Sequence, residues 1–142
     1  MRKAIIHTDG GSRGNPGLAG IGVIIYDESK NVVLELSQYI GIQTNNVAEY
    51  KALVRALELS YEMGIKDVEF YMDSELVVKQ IKGEYRVKNE RMKPFFEIAN
   101  SLISQFDNFS IHHVRRERNK RADELANLAM DMKGISIKRK NM

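Results

Sequence analysis

At Asn46 the spacing of apolar residues changes from strand-like to helical, and that change limits the folds open to this chain. Apolar residues recur at three and four from Asn46 to Met63, and Gly64 stands where a helix takes its C′ glycine. Before this helix the pattern predicts three short strands, residues 3–9, 19–26 and 31–40, joined by the loop TDGGSRGNPG and the turn DESKN. Such short connections make an antiparallel meander. After the helix comes KDVEFYMD, residues 66–73, with Val68, Phe70 and Met72 facing one way and Tyr71 and Asp73 the other. A long helical crossing from the third strand to the fourth lets the fourth lie parallel to the first, inside the sheet.

The remaining pattern predicts a helix over 74–82, a Lys-rich connector over 84–93 and a helix opening at Pro94. The strand FSIHHV (109–114), the charged turn RRERN and a last helix from Arg121 to Met132 follow. This order predicts an α/β fold with a mixed five-stranded sheet, three antiparallel strands then parallel strands, and helices on both faces. With 142 residues and neither repeat nor linker, the chain reads as one domain over 1–142, of which 133–142 (KGISIKRKNM) is a flexible basic tail.

Asp is a poor strand residue, so Asp73 at a strand end asks for a reason. If the first and fourth strands are neighbours, Asp9 and Asp73 lie side by side at their C-terminal ends, where open α/β sheets place their working crevice. Glu49, in NNVAEYKAL, shares a helical stripe with Leu53, Ala56, Leu57 and Ser60 and is therefore aimed at the sheet. Asp123, in NKRADELANLA, sits beside the apolar positions Ala122, Leu125, Ala126 and Ala129. Each acid also has an ordinary reading. Asp9 suits an Asx turn, Glu49 a capping box opened by Asn46, Asp73 a helix N-cap, and Asp123 a first-turn acid facing the helix dipole. One at a time these suffice; for all four together they do not. Cysteine is absent, so any metal here is held by oxygen or imidazole.

The segments TDGGSRGNPG, TNNVAEYKAL, YMDSELVVKQI and NKRADELANLA resemble the four sequence blocks of type 1 ribonuclease H, in the same order, over about residues 3–132. The resemblance implies a ribonuclease H-like fold and an endonuclease that hydrolyses the RNA strand of an RNA/DNA hybrid, leaving 5′-phosphate and 3′-hydroxyl ends. It implies that Asp9, Glu49, Asp73 and Asp123 are the catalytic acids and also the metal ligands. The implied cofactors are two Mg²⁺ (or Mn²⁺) ions about 4 Å apart, which suit carboxylate oxygens. Asp9 and Asp73 are expected to bridge both ions, Glu49 to hold the one on the leaving-group side and Asp123 the one that delivers water. The same blocks imply substrate contacts. Gly10, Gly11 and Ser12 would bring backbone amides to the RNA strand, and Asn15, Asn45 and Asn46 would meet 2′-hydroxyls or base edges in the minor groove. Thr44 would contact a DNA-strand phosphate. Turn and cap chemistry favours several of these residue types as well.

The chain departs from the family's best-known bacterial pattern twice. The loop VRRERNKRAD holds no histidine, and Arg116 or Glu117 is expected in its place. His112 and His113 precede that loop and read as edge-exposed imidazoles; His7 has no assigned role. The chain also has no tryptophan and only the connector GEYRVKNERMKP where relatives insert a basic helix, so Lys88, Arg91 and Lys93, with Lys138, Arg139 and Lys140 in the tail, are the cations left for phosphates.

The net charge of +3 fits a nucleic-acid partner without demanding one. No apolar run approaches a membrane span and the N-terminus lacks a signal-peptide core, so a cytoplasmic protein without membrane contact, acting as a monomer, is expected. Alternatives are a retroelement or recombinase nuclease of the same architecture, or an enzyme that also cuts duplex RNA. Met1 close before the first strand favours a free-standing protein over a fragment of a reverse transcriptase, and the presence of all four acids disfavours a silent binding module.

Overall fold

The computed structural model describes residues 1–140; residues 141–142 of the expected basic tail lie outside them. The chain runs β1 (Lys3–Gly14), β2 (Gly17–Tyr26), β3 (Val32–Gln43), α1 (Asn45–Glu62), β4 (Asp67–Met72), α2 (Glu75–Ile81) and α3 (Lys93–Ile103). It ends with β5 (Asn108–His113), a 3-10 turn (Arg116–Arg118), α4 (Lys120–Met132) and β6 (Ile135–Arg139). The strands form one sheet in the order β5-β4-β1-β2-β3-β6. β4 is parallel to β1 and β5 to β4, while β1, β2, β3 and β6 are antiparallel in turn. The expected meander and the insertion of the fourth strand beside the first are both present.

Alternation along β2 divides the interior. Ile21, Val23 and Ile25 join Ile6 of β1 and Leu53 and Leu57 of α1 in the larger core. Ile24 points the other way, onto Ala122 and Leu125 of α4. Helices α1 and α4 therefore cover opposite faces of the sheet. Burying a Leu- or Ile-sized side chain stabilises by roughly 1.5–3 kcal/mol, so both helices are held by their apolar stripes rather than by propensity.

The sheet has six strands where five were expected. Residues 135–139, read as part of the frayed tail, pair with β3 through Leu36↔Ile137 and Gln38↔Ile135. Without them β3 would present an open edge of unpaired backbone groups. The positive charge that suggested a loose tail lies beside Glu35 on β3, whose carboxyl is held below the usual range first by the Arg121 guanidinium and, less, by Lys138 and Lys140. The glycine-rich loop is also shorter than expected. β1 continues through it, with Gly10↔Ile21, Gly11↔Gly20 and Ser12↔Ala19 paired, and only Asn15 and Pro16 turn. Glycine lacks a side chain but keeps its backbone donor and acceptor, so the ladder runs on.

Candidate active site

The register of β1 with β4 runs to Thr8↔Met72, so Asp73, the next residue, falls beside Asp9. Asp9 is no turn residue: it pairs with Gly22 inside the sheet and is buried. Asp73 is not the helix cap either. Ser74 holds that position, and its hydroxyl accepts from the Val77 N–H at 3.2 Å. The Asp73 carboxylate is left for other work.

Glu49 comes from α1 on the other face. Thr44, not Asn46, caps this helix, its hydroxyl accepting from the Val47 N–H at 3.2 Å, so Glu49 lies past the capping-box position. Its Oε1 instead accepts from the Gly10 N–H at 2.8 Å in a buried contact. Gly10 permits the approach: a Cβ there would lie 2.2 Å from the Ala48 carbonyl oxygen. Asp123 stands in the first turn of α4 on the opposite face. Gly22 lets that helix down, since a Cβ on it would lie 2.2 Å from the Ala122 carbonyl oxygen. Two glycines thus set how near the two acid-bearing helices come to Asp9.

Asp9, Glu49 and Asp73 each offer an oxygen within 4.8 Å of the others. Asp123 joins them around a cleft of about 550 Å³. Burial first, then the Asp73 and Asp123 carboxylates, push Asp9 up to about 8 from 3.8. Burial, with Asp9 and Asp73 adding to it, pushes Glu49 well above the usual carboxylate range, although the Gly10 N–H opposes the shift. Clustered, desolvated acids repel one another, and their oxygen-only donor set fits a hard divalent cation such as Mg²⁺ or Mn²⁺.

This electrostatic strain has a measurable sign in metal-free protein. The folded pKa of Asp9 lies above its unfolded value, so the stability it contributes is fully present below about pH 4 and lost as pH rises to about 8. Burial lowers the pKa of His7, so above about pH 7 that ring no longer titrates. Chelator-treated protein is expected to show a Tm that falls between about pH 7 and 8 and levels off above that, and Mg²⁺ added at about pH 8.5 should restore it. A flat Tm profile with no response to Mg²⁺ would contradict the cluster.

Of the expected substrate contacts, Gly10, Gly11, Ser12, Asn45 and Asn46 line the cleft. Asn45 Oδ1 accepts from the Ser12 N–H at 2.8 Å and its hydroxyl at 3.1 Å, while the Asn45 N–H donates to Asn15 Oδ1 at 3.1 Å. Asn15 and Thr44 therefore hold the loop and cap the helix from just behind the lining. Arg116 is in the cleft, its Nη2 donating to Asp123 Oδ1 at 3.3 Å. Glu117, on the exposed 3-10 turn, is not among the lining residues. Sequence reasoning passed over Arg13, Arg115 and Asn127 and read His113 as an edge-exposed imidazole; all four line the cleft. Asn127 was findable, one helical turn after Asp123. Arg13 was not, because it enters only when β1 extends past the glycines.

Six strands in this order, carrying acids at the ends of two neighbouring parallel strands and on the helices of both faces, define a ribonuclease H-like fold. Comparison with known proteins agrees. A family model described as "Reverse transcriptase-like" matches residues 7–129. "Bifunctional protein Rv2228c" of Mycobacterium tuberculosis is 44% identical over 130 residues, covering 91% of this chain and 36% of that protein. "Ribonuclease HI" of Halobacterium salinarum is 43% identical over 123 residues, covering 87% of this chain and 62% of that one. The chain thus spans 36% and 62% of these two curated relatives. The crystal structure of LC11-RNase H1 in complex with RNA/DNA hybrid superposes with a TM-score of 0.87 at 49% identity, covering 92% of this chain and 98% of that one. LC11-RNase H1 was isolated from compost by a metagenomic approach. This chain belongs to the type 1 ribonuclease H family.

Proposed function

We propose that this chain is a divalent-metal-dependent endoribonuclease that hydrolyses the RNA strand of RNA/DNA hybrids, leaving 5′-phosphate and 3′-hydroxyl ends. The observation that carries the reading is the convergence of Asp9, Glu49 and Asp73 oxygens within 4.8 Å, on an open cleft that Asp123 also lines. These four acids would hold two ions, Asp9 and Asp73 shared between them. When bound, Mg²⁺ or Mn²⁺ supplies activation of the attacking water and neutralisation of charge on the leaving oxygen.

The protein's own groups supply the rest. Gly10, Gly11 and Ser12 put bare backbone along one side of the cleft, where a sugar-phosphate chain can approach closely. The double contact from Ser12 fixes the Asn45 amide, and with Asn46 it offers hydrogen bonds to 2′-hydroxyls, the group that separates RNA from DNA. Arg13, Arg115 and Arg116 place positive charge on the cleft wall, which draws phosphates without reading sequence. Arg116 also screens Asp123, and its own pKa rises through that contact. The solved structure of LC11-RNase H1 in complex with RNA/DNA hybrid, 49% identical to this chain, supports the substrate class. No helix among the described residues is long and apolar enough to cross a membrane. Action as a cytoplasmic monomer is part of the same proposal.

The test incubates labelled RNA/DNA hybrid, duplex RNA and duplex DNA with the protein, with and without Mg²⁺, beside Asp73→Asn. Expected are cuts in the hybrid's RNA strand, abolished by chelator, and a rate in the variant lower by roughly a thousandfold. Undiminished cutting by Asp73→Asn, or cutting that ignores chelator, would remove the mechanism. Equal cutting of duplex RNA would widen the substrate class to any A-form RNA strand.

A further inference from the structure

We infer that Asn119, oriented by His7, is a positioning residue that sets the spacing of Asp9 and Asp123; the inference rests on the metal-dependent reading of the site. Asn119 occupies the N-cap position of α4, yet its side chain makes no cap hydrogen bond. It is 2% exposed and turns inward instead. Its Nδ2 donates to the Thr8 carbonyl at 2.8 Å, and its Oδ1 lies 3.0 Å from His7 Nδ1. The Thr8 carbonyl belongs to the peptide that leads into Asp9. At the same time the Asn119 carbonyl accepts from the Asp123 N–H at 3.1 Å. One residue therefore joins the peptide bearing one acid to the first helical turn bearing the other.

The chemistry fixes the direction of this link. A backbone carbonyl only accepts, so Nδ2 must face Thr8, and Oδ1 is left to accept a hydrogen bond from His7 Nδ1. His7 must then carry a hydrogen on Nδ1 to make this contact. The ring itself cannot swing. It stacks on Tyr71 at 5.0 Å and 17°, and Tyr26 meets it edge-on at 5.9 Å. Tyr71 precedes Asp73 by two residues on the same strand face, and His7 precedes Asp9 likewise, so the stack lies directly beneath the acids. Without a side-chain cap from Asn119, α4 forgoes part of its local stability. A contact that forgoes local stability in favour of the sheet is what a positioning role requires.

The test compares four variants with wild type. Asn119→Asp keeps the shape but cannot donate to Thr8; Asn119→Ala removes both contacts. His7→Phe keeps a flat ring in the stack without the Nδ1 hydrogen; His7→Asn returns an amide hydrogen near that position. Mn²⁺ dissociation constants are measured without substrate by calorimetry, then kcat and KM on hybrid across Mg²⁺ concentrations, with Tm as a control for folding. Expected in Asn119→Asp and His7→Phe is Mn²⁺ binding weaker by roughly 10–100-fold, with kcat lowered and KM for hybrid within about twofold. His7→Asn should recover most of the Mn²⁺ affinity lost in His7→Phe. Unchanged Mn²⁺ affinity in folded Asn119→Asp, or equal affinity in the two His7 variants, overturns the inference. If Asn119→Ala fails to fold, the His7 pair still decides it. Wild-type protein that neither binds Mn²⁺ nor cuts hybrid would overturn the reading of the site itself.

Discussion

Asp9→Asn is expected to lower the hybrid-cleavage rate by roughly a thousandfold or more while raising the Tm of metal-free protein. The two effects share one cause. Stabilising developing charge through a metal ion is worth several kcal/mol, and each 1.36 kcal/mol is tenfold in rate, which sets the scale of the loss. The stability gain follows from the burial and like-charge contacts that push Asp9 to about 8. At about pH 8.5 the wild-type carboxylate is largely ionised against Asp73 and Asp123, whereas an amide of the same shape carries no charge. Relief of about 1–3 kcal/mol corresponds to a Tm rise of roughly 3–10 °C, which should shrink towards pH 5, where the wild-type group is protonated. Saturating Mg²⁺ should reverse the order, because only the wild type gains the full binding energy. Thermal scans of both proteins at two pH values, with and without Mg²⁺, check this directly. A variant less stable than wild type under all four conditions would mean that Asp9 serves the fold rather than the reaction.

The parts of this site that were readable in the sequence depend on short-range pattern plus one topological rule. Val68, Phe70 and Met72 alternating with Tyr71 and Asp73 gave the face of β4, and the helical run from Asn46 placed that strand next to β1. From those two facts Asp9 and Asp73 meet. Glu49 followed from its stripe with Leu53 and Leu57, although its hydrogen bond to the Gly10 N–H is a tertiary contact no local pattern announces. What stayed hidden was decided by distant partners. β6 forms because β3 offers an open edge; ISIK alternates, but the surrounding lysines and arginine masked it. The helix was expected from Asn46 and begins at Asn45, because Thr44 and Asn46 are both good cap residues and only the backbone path shows which one caps. Asn119 sat in a run of charges and read as turn. Its burial depends on Thr8 and His7, more than a hundred residues away in the chain.

Gly22→Ala is expected to be among the most damaging single methyls that can be added to this protein near the site. The new Cβ would lie 2.2 Å from the Ala122 carbonyl oxygen, 2.7 Å from the Ala126 nitrogen and 2.8 Å from the Leu125 Cβ. Those are backbone and Cβ atoms of α4, so no side-chain rotation relieves the clash and the helix itself must lift. Overpacking of this kind costs typically about 1–3 kcal/mol and occasionally more, a Tm loss of several degrees at least. Asp123 follows Ala122 directly, so the lift also carries its carboxylate away from Asp9. A displacement of about 1 Å at a reacting centre can cost on the order of 100-fold in rate. Gly20→Ala makes an informative neighbour, because its Cβ would meet the same helix farther along, 2.8 Å from the Ala126 carbonyl oxygen and 3.0 Å from the flexible Met130 side chain. It should lower Tm with a smaller loss of rate. Gly134→Ala, where the nearest atom would be 3.7 Å away, should leave both quantities near wild type. Measured as Tm, Mn²⁺ affinity and kcat, the three alanines should rank Gly22, Gly20, Gly134 in damage. A Gly22→Ala protein with wild-type Tm and rate would show that α4 does not sit on β2 as closely as the glycines require, and Asp123 would lose its path to the other acids.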